Sequence, residues 1–313
     1  MMSPISTASL YGSLAANIGA SQTRQANYAA EISSGEVSTD LAGYGATAGT
    51  LTAVNSVSAR LTSYVANARA LSGKLDVQDQ ALSQVATAAQ SSRNAVAEAL
   101  ANDSGDDLMS ALQAQLSTAA GALNTQYDGQ YLFSGGQADT APVAAGQLSD
   151  LTAAGPLSSI FKNGQTAQVS RLDDSTVVKT GVLASDAGGP LMSALAAVQA
   201  YDAGPNGPLS GTLTTAQSSF LTGVLSQFDT AISASNTTVA DNGVVAQEVT
   251  EKTTQLTDQQ TAIAGVVSNI TMPDEAQVAT QLSLAQTTLQ ASAQIFSSLQ
   301  SDSLLQVLSP ATA

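Results

Sequence analysis

The side chains of this 313-residue chain that could do chemistry are few, and they are carboxylates. Asp173 and Asp174 form one adjacent pair, Asp106 and Asp107 another. Neighbours on a strand point to opposite faces, so Asp173 and Asp174 do not easily share a substrate, and a solvated turn is the plainer reading. Asp106 and Asp107 suit a helix N-terminus, where backbone N–H groups favour negative charge. Gly135-Gly136 and Gly188-Gly189 read as turns, because no phosphate-loop or dinucleotide pattern surrounds them. His and Cys are both absent. Their absence removes the commonest general base, every thiol nucleophile, Cys/His zinc sites and disulfides. Ca²⁺ or Mg²⁺ on carboxylates would remain, but no EF-hand pattern is present. The sequence points to a non-enzyme without cofactors.

Lys plus Arg is 9 and Asp plus Glu is 24, a net charge of −15. Such a chain repels phosphate backbones and anionic lipid surfaces, so neither nucleic acid nor membrane is an expected partner. Trp is absent and aromatics are only 4%, which argues against a large aromatic core. The abundant small residues suit helices packed closely side by side. No run of about 18 apolar residues exists to form a transmembrane helix. The first basic residue is Arg24, so the N-terminus lacks the charged start of a secretory signal.

The elements that must position these residues are set out by proline. Five of the eight prolines fall between 142 and 208, with none in 5–141 or 209–272. Proline inside a helix costs about 3 kcal/mol, so two helical arms around a compact insert are expected. From Val54 to Ala99 a 3-4 step meets apolar residues at 12 of 14 positions, the polar ones being Gln78 and Ser92. From Leu221 to Ile270 it meets them at 11 of 15, with Asn242 and Gln260 among the polar steps. Repeats sustained this long are coiled-coil seams. The polar steps either fix register or are tolerated defects. At 1.5 Å per residue the arms span roughly 69 and 75 Å, as an antiparallel pair requires. Glu248 and Lys252 form a correctly oriented i, i+4 pair.

Ser104 with Asp107 resembles a capping box opening a helix through Leu108, Leu112, Leu116, Ala119, Leu123 and Tyr127. Asp128–Gly136 reads as a turn and a short strand. Strand-like pieces at Gln168–Leu172 and Thr176–Leu183, then a helix over Leu191–Tyr201, give a small, mostly β insert at 137–208. The expected fold is mainly α: an N-terminal helix and linker (1–48), a long helix with a second helix and β segment (49–136), the insert, a long C-terminal helix (209–271) and a terminal helix (272–313).

The terminal segments carry weaker apolar stripes. Tyr11, Leu14, Ile18, Tyr28 and Ile32 mark the first. Val278, Leu282, Leu289, Phe296, Leu299, Leu304 and Leu305 mark the last, which Pro273 opens at the first helical position, with Asp274 and Glu275 in the first turn. Ordering about 30 residues costs roughly 1–2 kcal/mol each, whereas each buried large side chain returns about 1.5–3 kcal/mol. Alone, each terminal helix is marginal. Paired and packed against other copies, both can be stable.

Several local matches now carry a resemblance. Ile5-Ser6-Thr7 with Leu10-Tyr11, Glu31-Ile32-Ser33-Ser34-Gly35, Thr280–Leu284, Leu289–Ser292 and Ser303–Leu305 resemble the ends of bacterial flagellin-like axial proteins. Asp128-Gly129-Gln130-Tyr131-Leu132-Phe133-Ser134-Gly135-Gly136 is similar to a segment of that family's hook-associated branch. The resemblance covers about 1–136 and 210–308. The linker Glu36–Leu41 departs from the family's pattern, with one Asp and no Pro. For Tyr131 and Phe133, alternating on a strand, packing against the 108–127 helix is the plainer reading and a contact with the next protein along the axis the sharper one.

The resemblance implies a structural axial component of the flagellum, an adaptor between hook and filament. It implies self-assembly through the terminal helices, contact with a hook-side junction protein and with filament flagellin, and an extracellular location. It also implies unfolded export through the flagellar type III apparatus with a chaperone, directed by roughly residues 1–35. The insert would face outward. A filament flagellin is the first alternative and a secreted coiled-coil adhesin or glycan binder the second. The sequons at Asn102, Asn236 and Asn269 are of a kind common by chance.

Overall fold

The computed structural model describes residues 4–153 and 156–308, with side chains from Tyr11 to Leu299. The chain divides into two compact units.

One unit holds residues 61–258. It is built on α2 (Ala48–Asn102) and α6 (Thr215–Thr271), each of which also contributes residues to the other unit. Gln78 meets Asn242 and Arg93 meets Asp229, so numbers rise on one helix as they fall on the other. The pair is antiparallel, as the seams require. Leu61, Ala68, Leu71, Leu75, Leu82, Val85, Ala89, Val96 and Ala99 of α2 are buried. On α6 the fully buried positions recur every seventh residue: Leu221, Phe228, Ser235, Asn242, Val249 and Leu256. That is the signature of a two-helix seam. In its first half α6 also buries Val224 and Ala231, because a second helical layer covers it there.

That layer consists of α3 (Leu108–Leu123) and α5 (Ala184–Asp202). Leu108, Leu112, Leu116 and Leu123 of α3, and Leu191, Met192, Leu195 and Val198 of α5, share one core with α2 and α6. Tyr201 stacks on Phe220 at 3.9 Å between ring centres, tying the end of α5 to the start of α6.

Short elements complete the unit. Strands β1 (Gln126–Tyr127) and β2 (Gln130–Tyr131) form a hairpin closed by Asp128 and Gly129, whose φ values of 52° and 76° define the two-residue turn that an Asp-Gly pair favours. A four-residue helix, α4, spans Asp150–Ala153. Strands β3 (Val169–Arg171) and β4 (Val177–Lys179) pair antiparallel, with Ser170 opposite Val178. Val143, Leu148, Leu151 and Ile160 belong to the same core as α3 and α5, so the middle of the chain is built into this unit.

Several local expectations need correction. Ser104 does not form a capping box: Asp107 stands at the α3 N-cap without a side-chain bond, and Ser104 Oγ instead accepts from Asp106 N. A serine bonding two residues ahead makes a local turn, which competes with the cap. Tyr127 lies beyond the end of α3, in β1. Leu132 and Phe133 follow β2 rather than extending it, and both are buried. Gly188 and Gly189 are helical, not turn residues, and α5 begins seven residues before the expected start, with Pro190 inside it. Burial of Ala184, Ala187 and Gly188 overrides the proline. Gly188 is needed for packing, since a Cβ there would collide with Leu123 Cδ1.

The other unit holds residues 1–60 and 259–313. Its described elements include α1 (Pro4–Ser34) and α7 (Glu275–Leu308), which pair along their length. Gly35, at φ 70°, ends α1 by donating its N–H to Glu31 O, a left-handed cap. The linker is ordered: Asp40 caps a 3₁₀ turn over Leu41–Thr47, accepting from Gly43 N at 2.9 Å. Tyr44 donates its hydroxyl to Ser38 O, and Val37 N reaches Thr271 O. Pro273 is not the first residue of α7. Asp274 is its N-cap, accepting from Gln277 N at 3.1 Å, so the proline lies one position outside.

Candidate functional site

In the terminal pair, Tyr11 donates its hydroxyl to Leu299 O at 2.8 Å, and its ring meets Phe296 edge-on with centres 5.9 Å apart. Leu14, Ile18, Tyr28, Leu282, Leu289, Phe296 and Leu299 are half-buried, Val278 is buried, and Ile32 is 44% exposed. Leu304 and Leu305 lie within α7, but their side chains fall outside the described residues. The stripes meet at Tyr11 with Phe296 and Leu299. They are incompletely covered: among the described residues of this unit, Ile32, Leu41, Val266, Met272, Leu284 and Ile295 are exposed, whereas only Leu51, Val278 and Ala285 are buried apolar positions. Two helices bury one stripe each and leave their flanks to water; on this pair the exposed large apolar residues among those described are Ile32, Leu284 and Ile295.

The nine-residue segment Asp128–Gly136 divides in two. Gly129 is exposed at the hairpin tip and Tyr131 is half-buried beside it. Phe133 and Ser134 are completely buried. Phe133 O accepts from Ala184 N at 2.9 Å, Ser134 Oγ donates to Tyr131 O, and Ser134 O accepts from Gly164 N. Gly135 is also buried, and a side chain there would strike Leu183 and Thr166 O. Phe133 to Gly135 therefore fasten the start of α5, whereas Asp128–Tyr131 and Gly136 reach the surface.

The two acidic pairs are structural. Asp173 and Asp174 sit between β3 and β4, but not as a solvated turn. Asp173 bridges Lys252 on α6 at 2.5 Å, and both side chains are less than one-fifth exposed. Asp174 accepts from Tyr64 OH on α2 at 2.7 Å. The β3–β4 hairpin is thus stapled to both long helices. The Lys252 ammonium holds the Asp173 carboxyl well below the usual carboxylate range, assisted by the backbone N–H groups of Ser175 and Thr176. Lys252 accordingly serves Asp173 rather than the expected Glu248. Asp106 accepts from Gly211 N and so closes the loop before α3. Asp150 accepts from Gln147 N and Gly146 N, which lower its pKa.

The polar seam positions divide as well. Gln78 Nε2 donates to Asn242 Oδ1 at 2.7 Å and to Thr180 O at 3.2 Å, and Asn242 Nδ2 donates to Leu75 O at 3.3 Å. Ser92 merely bonds back to Ala88 O within its own helix. Sequence reasoning missed the hairpin staple and the link from Gln78 to Thr180, because both join segments about 80 residues or more apart that share no periodic signal.

Among the described residues, no group of three or more Asp or Glu gathers where it could hold a metal ion, and no helix is long and apolar enough to cross a membrane.

Residues 5–138 match the family model for the bacterial flagellin N-terminal helical region. The architecture is flagellin-like. A Vibrio parahaemolyticus protein assigned as flagellar hook-associated superposes with a TM-score of 0.58 at 15% identity, over 74% of this chain and 99% of that one. Bacillus cereus FlgL superposes with a TM-score of 0.50 at 14% identity, over 68% and 96%. No curated protein matches the chain.

Proposed function

We propose that this protein is a structural axial component of the bacterial flagellum, acting as an adaptor at the hook–filament junction and polymerising through its paired terminal helices. The observation that carries the reading is the α1–α7 pair: it lies partly within a flagellin N-terminal region and leaves apolar residues uncovered on both helices. Tyr11, Leu14, Ile18, Tyr28, Ile32, Val278, Leu282, Leu289, Phe296 and Leu299 form the contact between the helices and the subunit interface, extended by Leu304 and Leu305. Copies of the chain are the first partner. A hook-side junction protein and filament flagellin lie on either side along the axis, and a chaperone and the type III apparatus handle export to the cell exterior. Assignment to the junction rather than the filament rests on the Asp128–Gly136 segment and on a hook-associated neighbour in fold.

Electron microscopy of a strain lacking the gene is the test. Hooks without filaments, with flagellin shed into the medium, are expected, together with a labelled band at the hook tip in the complemented strain. Normal filaments, or label along the whole filament, would overturn the junction role.

A further inference from the structure

We infer that the pocket between α2 and the β1–β2 hairpin receives a carboxylate side chain from a second copy of this chain. The pocket has a volume of about 240 Å³, below the range of about 300–1,000 Å³ usual for small-molecule clefts, and gives room for a side chain but not for a helix. Lys74, Gln168, Tyr127 and Tyr131 line it, with Leu71 at its floor and Asp128 at the rim. Lys74 is the anomaly. Its Nζ donates to the neutral Gln168 Oε1 at 2.5 Å, and among the described residues no carboxylate lies within bridging distance. An ammonium has three donors, and partly buried cations are ordinarily paired. Lys252 and Arg93 both are. Burial also pushes the Lys74 ammonium toward its neutral form, a cost that an incoming anion removes. Asp128 is exposed in the turn and does not bridge it.

The occupant follows from charge. With 24 acidic residues against 9 basic, a second copy carries an excess of carboxylates, and an unpaired cation set in a notch is the feature that would select among them. The inference rests on the polymerisation reading above, and gives the surface-reaching half of the Asp128–Gly136 segment a role in it.

A zero-length carbodiimide cross-link, which joins an amine to a carboxylate already in contact, tests the proposal on full-length chain. Isotopically light and heavy protein are mixed, assembled and cross-linked, and the peptides are read by mass spectrometry. Mixed light–heavy peptides joining Lys74 to an Asp or Glu are expected. Lys74→Met should abolish them and raise the critical concentration for assembly about tenfold, Lys74→Arg should restore assembly, and Lys162→Met should leave assembly unchanged. Assembly that proceeds with Lys74 joined only within its own chain, or not joined at all, would overturn the pocket proposal alone. A chain that never assembles would overturn the polymerisation reading, and this inference with it.

Discussion

Gln78 on α2 and Asn242 on α6 share a hydrogen bond of 2.7 Å at the centre of the helix seam, and both side chains are almost completely buried. A polar pair in an apolar seam keeps this bond in one register only, since sliding either helix by a turn separates the two amides while leaving both buried. The same Gln78 amide holds Thr180 O, so the register of the helices also sets the position of the chain just after β4.

Asn242→Leu should destabilise the protein by about 1–3 kcal/mol, because the Gln78 amide loses its short partner while remaining buried. The double variant Gln78→Leu/Asn242→Leu should recover most of that loss. A double-mutant cycle in urea measures the coupling, and additive losses would show that the pair is not coupled.

Asp173 makes the β3–β4 hairpin acid-sensitive. Its folded pKa lies below the unfolded value, so the stabilisation is complete above about pH 4 and is lost as the pH falls below it. Asp173→Asn should cost about 1–3 kcal/mol at neutral pH and flatten the acid limb of a stability-versus-pH curve. An unchanged limb in the variant would place the acid sensitivity elsewhere.

Tyr11→Leu removes the hydrogen bond to Leu299 O and the edge contact with Phe296, each worth about 0.5–1.5 kcal/mol. Amide exchange across α1 and α7 should accelerate in the variant, while α3 and α5 exchange as before.

In dilute wild-type protein, α1 and α7 should exchange much faster than α2 between Leu75 and Ala99, since the terminal pair buries few apolar side chains. Assembly should slow exchange in α1 and α7. Equal protection of both units in the monomer would mean that the terminal pair is self-sufficient.

Gly105→Ala would set a Cβ 2.8 Å from the backbone of Leu209, where the α2–α3 loop bonds to Gly211. A loss of about 1–3 kcal/mol is expected, read as a lower thermal midpoint.

The periodic parts of the fold were legible in the residues. A 3-4 step located both long helices, their antiparallel pairing and the stripes that bring Tyr11 to Phe296, because burial on one face writes itself into spacing. Asp128-Gly129 announced its turn for a similar reason: few residues accept positive φ at two successive positions. What stayed hidden depends on contacts between distant segments. Nothing near Asp173 reveals Lys252, and nothing near Lys74 reveals that its polar partner among the described residues is Gln168. Pro190 misled in the opposite direction, since a local penalty was outweighed by the packing of Ala184 and Gly188. Within the Asp128–Gly136 segment, the sequence could not separate the surface residue Tyr131 from the interior residue Phe133.

The hydrogen bond from Ala184 N to Phe133 O, with Val143 and Leu148 in the same core as Leu191, bears on how such a molecule can diverge. A lineage or an engineer seeking a new outer face cannot exchange the central third as a cassette. Its anchors would have to be inherited together, leaving the short connections between them as the places where novelty is tolerated.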